Sequence, residues 1–527
     1  MVISLTTALI IFLFTGISLL RLIQTKDYFF PSLWAHFDYP SSYKIFFRKR
    51  EFFLIIIWLY LIILSFNNGK IYLNYNTLII LLIIFGFLLY LRRGQVKKIK
   101  WSLKGIFIFI LMVIINDQIL NVTNNDLAVI VILSTTAIQF SIAIFSTFIA
   151  NIITIIYSKF LFRKTKRKIR LWLKENPNKL IIGISGSYGK TSTKEIVAHL
   201  LEIKFKVLKS PLRLNAEIGL AKFILSQKNL ESYDIIVLEL GSRQKGEIAK
   251  MVDIFQPKYV FLTGLGPQHI ATFGSFQDMI QGEMEILNAV KNEEGIAFLN
   301  ANDKWIKEYT KEINIKNKYF YGAYNSDFYF KDEILSLDGS EFTFIYPEGE
   351  ERLFTNIVGN QFLENISGAL GLCYVLGIKP YQLKERLKTF NLLPNQFEVV
   401  RKENPLIIND SYNANLVGVK KGIEFFNKIF NGNKILIFGG LIELGEEKTY
   451  EFYKELVDYF KNFDLIILTF FDFTNIFTSN LDNSKVIIYK NQNFNDLIKN
   501  FDLNNLGIII LGRIPEKLLI EIKKYNE

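Results

Sequence analysis

A short apolar run, a glycine-rich turn and a helical pattern follow one another from residue 180 onward, and this order limits the possible folds more than any other feature. LIIGIS has the length of a buried parallel strand, and KTSTKEIVAHLLEI has the apolar spacing of a helix. Backbone N–H groups at such a turn, together with the helix N-terminus, attract anionic oxygens. The segment therefore predicts an α/β domain with a phosphate-binding loop after its first strand.

Residue types within the turn suit a nucleotide triphosphate. Gly186 and Gly189 let the backbone approach a phosphate closely, Lys190 can reach the β- and γ-phosphates, and Thr191 can place a hydroxyl on Mg²⁺. Ile184 stands where the strict G-x-x-x-x-G-K-[ST] pattern has its first glycine, so a glycine-rich turn with a chance Lys-Thr pair is the alternative. We predict that one continuous loop binds ATP, formed by Gly186, Ser187, Tyr188, Gly189, Lys190, Thr191 and Ser192.

Buried strands continue to alternate with helical stretches along the rest of the chain. This alternation predicts an α/β class with doubly wound parallel sheets. A break around Pro394 divides the pattern into two domains, which we place at residues 176–393 and 394–527. Three segments of the first domain alternate like antiparallel strands instead: YFYGAYNSDFYF, SEFTFIYP and ERLFTNIV.

Residues 1–158 are much more apolar than the remainder. A membrane span needs about 20 apolar residues. Basic loops alternate with loops poor in basic residues, as the positive-inside rule predicts for five spans with an external N-terminus and cytoplasmic domains after residue 160. We therefore expect a multi-pass protein of the cell membrane, with candidate spans at Ile3–Ile23, Phe52–Phe66, Leu78–Leu91, Ile106–Leu120 and Leu127–Tyr157.

The net charge of +12 is concentrated in loops that flank these apolar runs, above all in the basic stretch 159–175. We interpret that stretch as a cytoplasmic linker and its charge as contact with anionic lipid rather than with nucleic acid. Cys373 is the single cysteine, which excludes an internal disulfide and a cysteine-built metal site.

Several motifs, in the same order, resemble those of the Mur ligase family and of its MurF branch. SGSYGKT is similar to Thr-Gly-Thr-x-Gly-Lys-Thr, LNAEIGLA to Asn-Asn-Glu-Ile-Gly-Val-Pro, and NDSYNAN to Asp-Asp-Ser-Tyr-Asn-Ala-Asn-Pro. Further similar segments are VLELGS, GPQHIATFG, LNANDK, GNQFLENISGAL and FGGLIELGEE. The resemblance covers about residues 176–527 and implies a central ATP-binding domain followed by a Rossmann-like ligase domain.

This resemblance implies an ATP-dependent, ADP-forming ligase of cell-wall precursor synthesis. Such enzymes convert a carboxylate into an acyl phosphate, which an amino acid or dipeptide amine attacks. By resemblance, Glu239 and His269 would bind Mg²⁺ together with Thr191. The family has the motif A-K-G-E-I-L, in which the lysine is carbamylated, and this chain has the similar segment IQGEMEIL. By resemblance, Glu283 would replace that lysine. A surface acid at Glu283, or a shift of the role to Glu285, is the alternative.

Other roles are also carried over from the family. Asn365 would contact adenine, unless it is a buried helix asparagine, and Asp410 and Asn413 would face the nucleotide. The segment with Asn215 and Glu217 would contact substrate, and Arg513 would be either a substrate contact or a solvated cation. Departures from the family pattern are Gln396 for an arginine, Gly440 for an aspartate and Asn409 for an aspartate.

No segment resembles the small UDP-binding domain with which MurF-like enzymes begin, and the apolar runs stand in its place. The acceptor would thus be a lipid-linked peptide precursor at the bilayer. The alternative is a soluble nucleotide-linked precursor, with the apolar runs serving only to tether the enzyme to the membrane. D-alanyl-D-alanine is the amine of the branch. Two other functions stay open: a ligase for a non-murein polymer or another amino acid, and a membrane scaffold that binds ATP without ligating.

Overall fold

The computed structural model describes residues 154–175, 178–267, 273–291, 294–401, 403, 405–412, 414–441 and 446–526. The predicted membrane spans lie outside these residues, apart from the last four residues of the fifth span. Contacts divide the chain into two units, Met1–Lys159 and Phe160–Glu527, so that both predicted α/β domains belong to the second unit. None of the described helices has the length and apolarity required to cross a membrane.

The first helix among the described residues, α1, covers residues 154–175 and takes the place of the predicted linker. Its buried residues recur at helical spacing and include Leu161, Ile169 and Trp172. The indole Nε1 of Trp172 donates a hydrogen bond to the carbonyl oxygen of Leu230 at 2.9 Å. Residues 160–175 are thereby fixed against the α/β domain that follows, rather than extended between two domains.

Nine strands form the central sheet in the order β2-β3-β1-β4-β5-β6-β7-β8-β9. Their bounds are β1 Leu180–Ser185, β2 Val207–Lys209, β3 Ile235–Glu239, β4 Tyr259–Leu262, β5 Ile296–Asn300, β6 Lys318–Gly322, β7 Phe328–Ser336, β8 Gly339–Tyr346 and β9 Gly349–Thr355. The helices between and after them are α2 Lys190–Leu201, α3 Glu217–Ser226, α4 Glu247–Phe255, α5 Phe276–Met284, α6 Lys304–Glu312, α7 Gln361–Val375 and α8 Lys384–Thr389.

This sheet is mixed, with a parallel part followed by antiparallel strands in the region where the sequence predicts them. Pairs from β2 to β7 are parallel, whereas β7–β8 and β8–β9 are antiparallel, as the alternating pattern of those segments indicates. Strand β1 is flanked by β3 and β4, so the strand order reverses beside it. Ligands of open α/β sheets bind at the carboxyl ends of strands where the order reverses, and the predicted phosphate loop follows β1.

Six strands form the second sheet in the order β10-β11-β15-β12-β13-β14. Their bounds are β10 Glu398–Arg401, β11 Leu406–Asp410, β12 Asn433–Phe438, β13 Leu465–Leu468, β14 Val486–Ile488 and β15 Leu506–Leu511. Their helices are α9 Leu416–Ile429, α10 Glu446–Phe460, α11 Thr474–Asn480, α12 Phe494–Ile498 and α13 Glu516–Lys523. All pairs are parallel except β10–β11, and β10 is the edge strand that the sequence pattern does not predict.

Aromatic side chains join the two sheet domains at the break that contains Pro394. The Phe397 ring lies 6.2 Å from that of Phe362 in α7 and 5.5 Å from that of Phe425 in α9. Asn395 and Phe397 have positive φ angles of 64° and 47°, which is unusual for residues with a Cβ. Burial of Phe397 between the domains therefore holds the connection in an unfavourable backbone conformation.

Gly371 in α7 offers a test of how this helix packs on the central sheet, because a Cβ added there would clash with the buried Phe328 ring of β7. We expect Gly371→Ala to destabilise the protein by about 1–3 kcal/mol through overpacking, despite the better helix propensity of alanine. Thermal unfolding measures the change. Gly418→Ala in α9 is the matched control, since its Cβ would meet nothing closer than 3.5 Å, and it should be neutral or stabilising. Equal effects of the two substitutions would contradict the packing described here.

Candidate functional site

The turn between β1 and α2 has the backbone conformation that its glycines allow. Gly186 has a φ of +135° and Gly189 a φ of +82°, both in the region that side chains disfavour. A Cβ on Gly186 would also lie 2.6 Å from Oγ1 of Thr263. Gly189 precedes α2 directly, so the free N–H groups of the first helical turn lie at the carboxyl end of β1.

Glu239, at the end of β3, lies beside this turn as the sequence predicts. Its Oε2 accepts a hydrogen bond from the hydroxyl of Thr191 at 3.0 Å, and its Oε1 accepts one from Nδ2 of Asn215 at 3.1 Å. Three predicted site residues from three segments of the chain are therefore in contact. Asn215 supports the Glu239 carboxylate in this arrangement, and its predicted contact with substrate stays a prediction.

A hydroxyl and a carboxylate at this distance fit magnesium, which prefers oxygen ligands and takes one or two protein groups together with phosphate oxygens. No group of three or more His, Cys, Asp or Glu side chains is placed to hold a metal within the described ranges. His269, the other predicted ligand, lies outside those ranges. Thr191 and Glu239 thus lie close enough to share one cation, and magnesium binding by Thr191, Glu239 and His269 stays a prediction.

Lys194 is a member of this site that the sequence analysis missed. Its side chain is 0% exposed, and its Nζ lies 3.4 Å from Oε2 of Glu239 and 3.3 Å from Oε1 of Glu195. Lys209 forms a second ion pair with Glu195. One signal was present in the sequence: Lys194 is three residues after Thr191 in α2, so both side chains lie on the same helix face.

Glu283 contacts the loop itself, at the end opposite to Thr191. Its side chain is buried, and its Oε2 accepts a hydrogen bond from the N–H of Gly186 at 2.9 Å. The hydroxyl of Ser185 lies 2.6 Å from the same oxygen and 3.0 Å from the carbonyl oxygen of Leu240. This excludes the surface-acid alternative, because the carboxylate anchors the first residues of the loop.

IQGEMEIL can be aligned with A-K-G-E-I-L in two ways: on Glu-Ile-Leu, which places Glu283 at the lysine, or on Gly-Glu, which places the exposed Gln281 there. The correspondence of Glu283 with the lysine therefore stays a prediction. Glu285 accepts hydrogen bonds from the N–H groups of Gly246 at 2.7 Å and Ala249 at 3.0 Å, so it caps α4. The structure thus gives Glu283 and Glu285 supporting contacts instead of a contact with Glu239.

Tyr188 faces away from the helix N-terminus. Its hydroxyl donates to Oδ2 of Asp303 at 2.9 Å, and its ring fills the space where a Cβ of Gly264 would be, 2.3 Å from two ring carbons. Burial, followed by the charge of Asp303, raises the pKa of the Tyr188 phenol far above its usual range. The predicted nucleotide contact of Tyr188 is therefore limited to its backbone, and its side chain fixes the loop on the segment after β4.

Two other loop residues, Lys190 and Ser187, and the predicted adenine contact Asn365 in α7 have contacts within the protein. The Nζ of Lys190 bonds to the carbonyl oxygens of Gly186 and, at 3.3 Å, Ser187, so it points back over the loop. The N–H of Ser187 donates to the carbonyl oxygen of Gly264 at 2.6 Å. Asn365, buried in α7, has its Oδ1 3.2 Å from a Cβ built on Gly189. Asn365 thus lies against the loop, and its contact with adenine stays a prediction.

Gln396 brings the second sheet domain to the loop. Its Nε2 donates to the hydroxyl of Ser192 at 2.6 Å, and its Oε1 is buried without a hydrogen-bond partner among the described residues. The residue that departs from the family arginine therefore still reaches the first turn of α2. Ser192, predicted to bind nucleotide, has its hydroxyl engaged by this contact.

Asp410 and Arg513 lie at the carboxyl ends of neighbouring strands, β11 and β15. An Oδ1 of Asp410 accepts a hydrogen bond from the N–H of Phe397 at 3.2 Å, and burial raises the pKa of Asp410 to about 7. The carbonyl oxygen of Arg513 lies 2.4 Å from a Cβ built on Gly439. Asn413 lies outside the described residues, and the substrate role of Arg513 stays a prediction.

Glu217, the remaining predicted substrate contact, begins α3. Its Oε1 forms an ion pair with Nζ of Lys250 at 2.7 Å, whereas its Oε2 is buried without a hydrogen-bond partner in the described part of the chain. The side chain is therefore half engaged within the protein, and the substrate contact stays a prediction.

Sequence profiles place the chain in a known family. The Mur ligase middle domain matches residues 184–373, and the Mur ligase glutamate ligase domain matches residues 396–489. The first region covers most of the first sheet domain, and the second covers the second sheet domain up to β14. The chain therefore belongs to the Mur ligase family and contains its middle and C-terminal domains.

Individual relatives are UDP-N-acetylmuramoyl-tripeptide–D-alanyl-D-alanine ligases. That of Escherichia coli (strain K12) is 28% identical over 284 residues, 53% of this chain and 62% of the relative. That of Bacillus subtilis (strain 168) is 29% identical over 279 residues, 52% of this chain and 59% of the relative. The chain thus aligns with about three fifths of the length of these curated relatives.

Solved structures show the same fold. MurF from Thermotoga maritima in complex with ADP is 24% identical, with a TM-score of 0.60 over 70% of this chain and 84% of that one. MurF from Acinetobacter baumannii is 20% identical, with a TM-score of 0.60 over 70% of this chain and 80% of that one. At these identities the likeness establishes the fold of the two sheet domains.

A double-mutant cycle tests the role of Lys194. We expect Lys194→Met to destabilise the protein by about 3–5 kcal/mol, because it leaves the buried Glu239 without its cation and Glu195 with Lys209 alone. Glu195→Gln in the same chain should restore part of this loss, giving a coupling of about 1–3 kcal/mol in denaturant unfolding. Lys209→Met, at a more exposed cation, should cost less than about 1 kcal/mol. Strictly additive effects of the first two substitutions would rule out the network.

Asp410 predicts a pH dependence. Its pKa is about 7 in the folded chain, against an ordinary value of 3.8, so between these values the folded state holds a proton that the unfolded state has released. Stability must then fall as the pH rises from about 4 to about 7 and level off above. The advantage of Asp410→Asn should grow over this window by on the order of 1–4 kcal/mol. Unfolding at several pH values measures it, and the exposed Asp458→Asn should show no such trend.

Proposed function

We propose that this chain is an ATP-dependent, ADP-forming amide ligase of cell-wall precursor synthesis, with a MurF-like reaction. The observation that supports it best is the contact of Thr191 with Glu239 at the carboxyl end of β1, where the phosphate loop meets α2. The family supplies the reaction class, and the relatives are named for the joining of D-alanyl-D-alanine to a UDP-N-acetylmuramoyl-tripeptide.

The loop would bind the triphosphate through the N–H groups of the first turn of α2. Lys190 would leave the carbonyl oxygen of Gly186 and neutralise charge on the β- and γ-phosphates. Thr191 and Glu239 would hold Mg²⁺, which supplies charge neutralisation at the transferring phosphate. Lys194 keeps the Glu239 carboxylate in position from the buried side, and Glu283 fixes the start of the loop.

The carboxylate of the acceptor peptide would attack the γ-phosphate, with ADP as the leaving group. The amine of an amino acid or dipeptide would then attack the acyl phosphate, so that an amide forms and phosphate leaves. The protein contributes mainly positioning, because two substrates and the nucleotide must meet at one sheet edge. Gln396 and Asp410 would bring the second sheet domain to that edge as the site closes.

The acceptor is proposed to be a muramyl peptide precursor, and D-alanyl-D-alanine its amine. Apolar runs before residue 158 support a location at the cell membrane, with the ligase domains on the cytoplasmic side. A lipid-linked acceptor would explain why such runs precede a ligase. A soluble UDP-linked acceptor requires only that they tether the enzyme.

Purified full-length protein in detergent, with ATP, Mg²⁺ and acceptor–amine pairs, tests the proposal. We expect phosphate release that needs both acceptor and amine, and a product whose mass equals their sum minus water. Lys190→Ala should lower this release by at least about 100-fold, because a cation beside the transferring phosphate is lost. Lys228→Ala, at an exposed cation after α3, should leave it unchanged.

The other outcomes separate the alternatives. If turnover is seen only with other amines or acceptors, the enzyme is a ligase for a polymer other than murein. ATP binding without acceptor-dependent phosphate release would contradict the ligase proposal and favour a scaffold. Comparison of UDP-linked with lipid-linked tripeptide then decides between the two acceptors.

A further inference from the structure

The outward face of α1 has no counterpart in the proposed reaction. Its exposed cations after Lys159 lie on one side of the helix at spacings of three or four residues and so form one stripe: Arg163, Lys164, Arg167, Arg170 and Lys174. Residues 160–174 contain no Asp or Glu. At 1.5 Å per residue the stripe from Arg163 to Lys174 is about 17 Å long.

Cations of α1 that face the domain differ from those of the stripe. Lys166 forms an ion pair with Asp253, and Lys168 donates to the carbonyl oxygens of Ile224 and Gln227. No ion pair joins the five stripe cations to any other residue that the structure describes. The domain thus compensates the inward cations and leaves the outward ones available to an external partner.

Two large apolar residues lie within the same stripe. Phe160 is 67% exposed and Leu171 is 55% exposed, each three or four residues from a stripe cation. Apolar side chains between basic ones suit the interface of a bilayer, where rings and aliphatic chains enter below the headgroups and cations meet phosphates. A nucleic acid would use the cations and leave Phe160 and Leu171 in water.

The position of α1 in the chain favours the same partner. The helix continues directly from the apolar run Leu127–Tyr157, so the stripe begins where that run ends. Clusters of Lys and Arg next to such a run attract anionic lipids. On its other face the helix is fixed to the α/β domain through Trp172 and its buried neighbours.

We propose that the stripe of α1 binds the surface of a bilayer containing anionic phospholipids. The helix then transmits the orientation of the membrane to the α/β domain, because its opposite face is packed against that domain. This inference does not rest on the proposed ligase reaction, and its test does not use activity.

Because Cys373 is the single cysteine and is buried, a cysteine introduced at an exposed position can be labelled selectively. Leu171→Cys, which leaves every stripe cation in place, would carry an environment-sensitive dye. The full-length protein is reconstituted in vesicles of phosphatidylcholine, with or without phosphatidylglycerol, containing a lipid-borne quencher. Ile520→Cys in α13 is the matched control, since Ile520 is 53% exposed.

We expect lipid quenching at position 171 that increases with phosphatidylglycerol and falls in 1 M salt, where screening acts over about 3 Å. Neutralising Arg163, Arg167 and Arg170 to Gln should remove about half or more of the phosphatidylglycerol-dependent part. The control is a triple substitution to Gln of exposed lysines in the second sheet domain, and it should leave the phosphatidylglycerol-dependent quenching unchanged. These lysines are Lys428, Lys454 and Lys499. Thermal unfolding checks that both triple variants fold.

Three results would overturn the inference. Quenching at position 171 no greater than at position 520 excludes contact with the bilayer. Quenching independent of phosphatidylglycerol excludes a role of the cations. Protection of the dye from aqueous iodide by added RNA or DNA, without lipid quenching, would assign the stripe to nucleic acid.

Discussion

The structure of the site depends on a carboxylate, Glu239, that is buried at the end of a central strand. A buried carboxylate is costly unless opposite charge and hydrogen-bond donors surround it. Lys194 supplies the charge, and Thr191 and Asn215 supply the donors. The requirements of one charge therefore fix the first turn of α2, the segment before α3 and the end of β3 relative to each other.

This arrangement is compatible with a metal ion, because a cation could replace the hydrogen bonds that the Glu239 carboxylate accepts. The hydroxyl of Thr191 donates to the carboxylate in the present structure, and both groups could turn their oxygen lone pairs to Mg²⁺. Lys194 lies on the buried side and would remain. The same network can thus stabilise the protein without nucleotide and support the magnesium in its presence.

Contacts at the other end of the loop perform a different task. Glu283 holds the N–H of Gly186, and Tyr188 holds the segment after β4 through Asp303. Gln396 then joins the first turn of α2 to the second sheet domain, whose connection is held by the buried Phe397. Anchoring of the loop within one domain, with a polar contact to it from the other, suits a site that assembles between two domains.

Local patterns in the sequence determined the strands β1, β3, β4 and the core strands of the second sheet, because a short apolar run bounded by turn residues is typical of a buried strand. They also determined the loop glycines and the pairing of Thr191 with the end of β3, since parallel strands bring their carboxyl ends to one edge. Tertiary structure alone decided which charges face each other. Lys194 looks like a surface lysine until α2 packs on the sheet, Glu283 reads equally well as a surface acid until it is buried against the loop, and the basic stretch 159–175 folds as a helix because the domain buries one of its faces. These three depend on contacts between residues far apart in the chain, and periodicity along the chain carries no information about such partners.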